Sequence, residues 1–284
     1  MEILGIPELR SPIMILAFSG WNDAGEAASA AVEHLASIWP VQAIGEFDTE
    51  EFYDYQNNRP IVSVDESFNR SLTWPTTTVR GVSLPNYDRD LILVSGVEPS
   101  LKWRSFVAQL LDLGEDLDIS MVVCLGSLLA DVPHTRPIPV TATAARPEFG
   151  ERLGLEMSRY EGPTGILGAI QDACNQREID ALSIWAAIPH YVSSPPCPKA
   201  TLSLLNHLED LLELPIDLGE LPEDAKAWEI GVDQLSQEDS EIADYVKSLE
   251  ESKDEADLPE ATGEAIAREF ERYLRRRGEE NPQA

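Results

Sequence analysis

Seven residues of this 284-residue chain have types and spacing suited to holding a ligand: Gly20, Asn22, Asp23, Glu98, Gly126, Ser127 and His190. Two carboxylates and an imidazole are side chains that general acid–base chemistry uses. Glycine and serine beside them let backbone approach a ligand closely, and a following helix start offers free N–H groups to an anion. Each group sits in or just after an apolar run. IMILAFSG (13–20) leads into Trp21-Asn22-Asp23-Ala24-Gly25-Glu26, and DLILVSGVEP (90–99) reaches Glu98. MVVCLGSLLAD (121–131) carries Gly126 and Ser127, and LSIWAAIPHY (182–191) carries His190. Glu161-Gly162-Pro163-Thr164-Gly165 opens a further helix in the same manner. The competing use of these residues is structural, because Gly, Ser, Asn and Asp also turn a chain from strand to helix.

Continuous apolar runs of this kind suit strands buried on both faces, as in parallel sheets covered by helices. Helix-like segments at 23–38, 103–116, 165–178 and 199–213 alternate with them, with Asp23 and Thr164 as N-caps. The expected fold is therefore α/β: a three-layer α/β/α sandwich with a mostly parallel sheet. If the four strands are parallel, their polar ends share one rim, outside the carboxyl ends where such sheets bind ligands.

Residues 42–82 hold short β-branched pieces, expected as extra strands or a hairpin at one sheet edge. Residues 132–147 hold four prolines and read as an ordered loop with one short strand, PVTATA. The domain reading is an α/β/α unit over 1–216 and an acidic helical extension over 217–284, which carries 21 acidic and 8 basic residues. Its expected apolar stripes are Ala225-Trp228-Ile230-Leu235, Ile242-Tyr245-Val246-Leu249 and Ile266-Phe270-Leu274. Glu250 to Asp257 reads as a solvated linker, and Pro259-Glu260 as the start of a last helix closed by Arg275-Arg276-Arg277.

A formal charge of −30 excludes nucleic acid as the expected partner, since phosphate binding needs clustered Lys and Arg. It equally disfavours anionic membrane surfaces. No run approaches the roughly 18 apolar residues of a membrane span. The first residues lack a basic region and are broken by Pro7, Glu8, Arg10 and Pro12, unlike a signal peptide, so a cytoplasmic protein is expected. Cys124, Cys174 and Cys197 are odd in number and widely spaced, which fits neither a disulfide framework nor a zinc pattern. G-x-G-x-x-G, G-x-S-x-G and H-E-x-x-H are absent, and the first lysine is Lys102, so no P-loop precedes it. Four histidines (His34, His134, His190 and His207) leave little material for a three-histidine metal site, and neither a metal nor a cofactor is expected.

FSGWNDAGEAASAAVEHL, VSGVEPSLKWRSF, LGSLLADVPHTRPIPV, YEGPTGILGAI and IPHYVSSPPCPKATLSLL occur in order across residues 13–215. In these stretches the chain resembles the PAC2 family, named for proteasome assembly chaperone 2, and its actinobacterial members in particular. The resemblance implies an α/β/α sandwich similar to nucleoside phosphorylases and related hydrolases. It also implies self-association, often as a homotrimer, and a protein complex such as the proteasome as partner. Proteasome-binding factors commonly dock a hydrophobic–Tyr–any tail. Gln283 stands in the tyrosine's place here, which argues against tail docking and leaves contact through a surface of the folded domain open. Two functions follow. The first is a non-enzymatic oligomeric assembly, scaffold or chaperone-like protein. The alternative is an enzyme or binder for a nucleoside-like or anionic small molecule, with Asp23 and Glu98 as its acid–base or orienting groups.

Overall fold

The computed structural model describes residues 1–192 and 194–257. In chain order the elements are β1 (Glu2–Ile3), β2 (Ile13–Ser19), α1 (Ala27–Ile38), β3 (Val41–Glu46), α2 (Thr49–Phe52), β4 (Ile61–Val64), β5 (Arg70–Thr73), β6 (Thr77–Val82) and β7 (Leu91–Val97). There follow α3 (Trp103–Asp116), β8 (Met121–Ala130), β9 (Val140–Ala144), α4 (Pro147–Leu153), β10 (Glu156–Met157), α5 (Ile166–Gln176), β11 (Ala181–Pro189), α6 (Pro198–Leu212), α7 (Leu221–Glu238) and α8 (Ser240–Asp257).

Nine strands form one sheet in the order β1-β3-β6-β7-β2-β8-β11-β9-β10. Its centre is parallel: β2 pairs with β7 and β8, and β8 pairs with β11. The flanks are mixed, with β6 and β9 antiparallel to β7 and β11. Side chains along β2 alternate between the two faces of the sheet, and Ile13 to Phe18 are all buried. Ile13, Ile15 and Ala17 join the apolar layer that includes α1 and α6 residues, while Met14, Leu16 and Phe18 join the layer that includes α3 and α5 residues. Both faces are covered, so the run is apolar throughout. Phe18, Phe47, Phe52 and Phe106 pack together on the α3 side, with Phe47 and Phe106 stacked at 4.1 Å. Three layers result, as the sequence predicts.

Several details differ from the sequence reading. In 42–82, β3 and β6 extend the main sheet whereas β4 and β5 form a separate two-stranded arm. In 132–147 the expected short strand PVTATA is present as β9, antiparallel beside β11; α4 and β10, which follow it, are additions to that reading. Glu250 to Asp257 is helical, not a linker, because α8 continues through Asp257. The buried face of α7 includes Ala225, Val232 and Ser236, whereas Ile230 and Leu235 are exposed. Steps of seven and four residues keep one helical face, and Ile230 and Leu235 lie off it. The last predicted helix lies outside the described residues. Cys124, Cys174 and Cys197 are free and buried. Burial pushes the Cys174 thiol up to about 12 and that of Cys197 up to about 11. Among the described residues, no helix is long and apolar enough to cross a membrane, and no cluster of His, Cys, Asp and Glu could hold a metal ion.

Candidate functional site

The parallel centre brings the ends of β2, β7, β8 and β11 to one rim. After β2 the chain turns at Gly20, where φ is +121°, and the Asp23 N–H donates back to the Gly20 carbonyl at 3.1 Å. Asn22 and Asp23 are then drawn inside. A single 3-10 turn over Ala24–Glu26 separates Asp23 from α1, so α1 begins later than the sequence suggests. The Asp23 carboxylate still closes that helix: Oδ1 accepts the Ala28 N–H at 2.7 Å, and the carboxylate also takes the N–H and hydroxyl of Ser29. Ser127 of β8 completes the knot: its one hydroxyl hydrogen is shared between the Ala24 carbonyl at 2.8 Å and, more distantly, Asp23 Oδ1 at 3.3 Å. Its N–H donates to the Asn22 carbonyl at 2.9 Å. Burial raises the Asp23 pKa above the usual carboxylate value, against the opposing pull of these donors.

Glu98 plays the matching part for α5. Its Oε1 accepts the Asn22 side-chain amide at 2.7 Å and the Ile166 N–H at 2.8 Å. A carboxylate is favoured there by the positive end of the helix. Thr164 is therefore not the cap: the N-cap position is Gly165, and the side chain that closes the helix comes from the end of β7. Because Glu98 only accepts, Nδ2 of Asn22 faces it and Oδ1 faces Gly165. A Cβ on Gly165 would lie 2.1 Å from that Oδ1. The oxygen has no hydrogen-bond partner among the described residues.

Gly126, inside β8, makes room for a neighbour, since a Cβ there would meet the Trp185 ring at 2.6 Å. His190 belongs elsewhere. Its Nδ1 lies 3.2 Å from Asp131, and its ring meets Tyr191 and Tyr245 edge-on. Pro189 pairs with Ala130 at the far ends of β11 and β8, so His190 overshoots the rim toward α8. There it joins a junction around His134. The His134 ring is fully buried, with Nδ1 2.9 Å from the Tyr191 hydroxyl, and Lys199 donates both to the His134 carbonyl and to Glu229. Thr135 and Arg136 reach Glu250 and Asp254 of α8. Burial holds the His134 pKa below its ordinary value. Of the seven predicted positions, Gly20, Asn22, Asp23, Glu98 and Ser127 thus meet, Gly126 lies beside them, and His190 stands apart.

Adjoining the knot is a cavity of about 730 Å³ on the α5 side of β8, β11 and β9. Trp21, Leu128, Leu129, Tyr160 and Trp185 supply its apolar walls, and Thr141, Thr143 and Ser183 add hydroxyls. Gly20, Asn22 and Ser127 border it, whereas Asp23, Glu98, Gly126 and His190 are not among the lining residues. None of the described residues that line it is charged. The sequence reading missed the tryptophans and Tyr160. The available signal was Gly126 within an apolar strand, a mark of close approach by a neighbour.

A model of the PAC2 family matches residues 17–236. The chain belongs to the PAC2 family. The match spans the knot, the cavity and most of α7. A PAC2 family protein from Streptomyces avermitilis is 52% identical, with a TM-score of 0.77 over 83% of this chain and 99% of that one. A Mycobacterium tuberculosis protein, described as a proteasome-assembly chaperone homologue, is 47% identical, with a TM-score of 0.75 over 82% of this chain and 99% of that one. A Corynebacterium glutamicum protein of unknown function is 28% identical, with a TM-score of 0.79 over 90% and 95% of the two chains. Among curated proteins, no match was found.

Proposed function

We propose that this PAC2 chain is a non-catalytic assembly or scaffold protein that works through protein–protein contacts, with a multisubunit complex of the proteasome type as its client. One observation carries the reading: a concave, uncharged, aromatic-walled surface lies open at the rim of a chain whose net charge is −30. Trp21, Leu128, Leu129 and Tyr160 are all exposed there. Exposed apolar surface of this kind marks an interaction site. The carboxylates that acid–base chemistry would need are instead occupied by helix N–H groups, an asparagine amide and serine hydroxyls. The 47%-identical Mycobacterium tuberculosis relative adds support for the client class.

The test is affinity purification of the tagged chain from its own cells, beside a Trp21→Asp, Leu129→Asp variant. Subunits of one complex should accompany the wild-type chain and be lost from the variant. Recovery of the chain without any such complex would overturn the reading.

The cavity volume favours a second reading, since it lies in the range of small-molecule sites. The uncharged lining fits a neutral aromatic such as a nucleoside better than an anion. A thermal-shift screen of nucleosides and nucleotides decides it: a ligand at 100 times its dissociation constant adds about 2.7 kcal/mol. A shift that Trp185→Ala removes would bring this reading to the front.

A further inference from the structure

We propose that the rim cavity receives an arginine side chain, presented by a basic segment of the client protein. The inference rests on the reading that the chain works through protein contacts, and it names the chemistry the cavity selects in a client.

Three rings shape the site. Trp185 lies against Gly126, while Trp21 and Tyr160 stand at the mouth with 65% and 67% of their surface exposed. None of the three packs on another aromatic ring among the described residues, so aromatic faces are left for a ligand. The face of an indole or phenol ring carries the negative part of its quadrupole and attracts a cation.

Charge behind the walls sets the sign of the ligand. Asn22 borders the cavity, and its amide donates to Glu98 on the other side. Glu98 Oε2 lies 3.9 Å from the place a Cβ on Gly20 would take, and Gly20 also borders the cavity. Asp23 follows Asn22 and is 5% exposed. Both carboxylates accept from backbone N–H groups, hydroxyls and an amide, with no Lys, Arg or His among those partners. The starts of α1 and α5 offset about half a charge each. Negative charge therefore remains one side chain behind an uncharged surface. Arg159 and Glu161 flank Tyr160 and cancel in charge, while the whole chain adds its −30. This field repels an anion and draws in a cation.

Among cations the lining favours arginine. It offers no carboxylate to pair with the compact, strongly hydrated ammonium of lysine. A guanidinium is planar, more weakly hydrated and stacks on aromatic faces. Its N–H groups need acceptors, and the wall side chains of Thr141 and Gln171 have no hydrogen-bond partner among the described residues. A quaternary ammonium has no N–H and would leave both unused. The open mouth keeps the charge in contact with water, which avoids the cost of burying it fully. Leu128 and Leu129 are exposed beside the rings, and about 730 Å³ leaves room there for apolar neighbours of the arginine.

The test titrates the purified full chain with three blocked tripeptides: Ala-Arg-Ala, Ala-Lys-Ala and Ala-citrulline-Ala. Citrulline keeps the shape of arginine and removes its charge. The readout is the pair of indole N–H resonances from Trp21 and Trp185. The arginine peptide should shift both and bind about tenfold more tightly than the citrulline peptide, with lysine between them. Trp21→Leu and Trp185→Leu keep an apolar wall without the indole, and each should erase that preference. Trp21 is exposed, so its variant keeps the test open should Trp185→Leu not fold. Glu98→Gln retains an acceptor for the Ile166 N–H while removing the charge, and should weaken the arginine peptide alone. Equal binding of the arginine and citrulline peptides, silent indoles, or a preference that survives both tryptophan variants would overturn the proposal. So would methylguanidinium binding as tightly as the arginine peptide, because the site would then take a free small cation and not a protein segment. Capture of a client complex by a chain that fails these tests would leave the function reading intact. Arginine-selective binding with no client captured would do the reverse.

Discussion

Two polar clusters lie along the parallel centre of the sheet, one at β2, β7 and β8 and the other beyond β8 and β11, and hold their parts by different physics. The Asp23–Asn22–Glu98 knot contains carboxylates without a basic side chain among their hydrogen-bond partners, which are backbone N–H groups, hydroxyls and an amide. The His134 junction is ionic: Lys199 and Arg136 meet Glu229, Glu250 and Asp254, and His134 is buried among them. The first closes helix ends inside the sandwich. The second fastens the acidic α7 and α8 to the loop after β8. Neutral donors fix geometry with little dependence on salt, whereas ion pairs answer to salt and pH.

The sharpest way to break the contrast is Gly165→Ala. The new Cβ would lie 2.1 Å from Asn22 Oδ1, and Asn22 cannot retreat without releasing Glu98. We expect about 3 kcal/mol of lost stability, measured by urea unfolding, because overpacking a closed site costs that much. Next comes Asp23→Ala, which strands the Ala28 and Ser29 N–H groups at the start of α1 and the Ser29 hydroxyl, while Ser127 keeps the Ala24 carbonyl. The expected loss is about 2 kcal/mol, read the same way, from a missing cap with buried donors left unpaired.

The third prediction concerns pH, where the clusters oppose each other. His134 has a depressed pKa in the fold, while in the unfolded chain it titrates near about 6.5. Below that pH the unfolded chain binds the extra proton, so this contribution is present above about 6.5 and is lost as pH falls. Amide protection factors in α7 and α8, taken relative to intrinsic exchange at each pH, should fall between pH 7.5 and 5.5, and His134→Gln should flatten that dependence. Asp23 has a raised pKa, so its contribution is full below about 3.9 and is lost as pH rises through the folded value. Asp23→Asn should remove that acid-side gain. Smallest of all should be Arg136→Ala, which releases Glu250 and Asp254. It should quicken exchange in α8 and reduce its salt dependence, leaving the melting temperature of the sandwich nearly unchanged.

The layers were legible because β2, β7, β8 and β11 are apolar on both faces, a pattern that follows directly from two-sided burial. The rim was legible for the same reason: parallel strands must end together. What sequence could not supply was the partner of each polar group. Glu98 caps a helix that starts 68 residues later, and Thr164 has the cap's usual chemistry and place without performing it. His190 reads as a rim residue until strand lengths are known, because β8 and β11 run on to Ala130 and Pro189. The cavity escaped notice because Trp185 lies in the apolar run of β11, where an exposed and a buried ring look alike, and Trp21 lies in the polar turn after β2. The phase of α7 was misread for a related reason: Ile230 and Leu235 are apolar but lie off the face that packs.

The three cysteines carry a practical consequence. All are buried, and their thiols stay protonated far above neutral pH, so thiolate, the reactive form, is scarce in the folded chain. They come from β8, α5 and the turn that enters α6, three separate parts of the sandwich. Alkylation of any one must wait until its own neighbourhood opens. Each sulfur is therefore a local clock, and mass spectrometry of the three labelling rates would time the opening of sheet and helices in the unmodified protein.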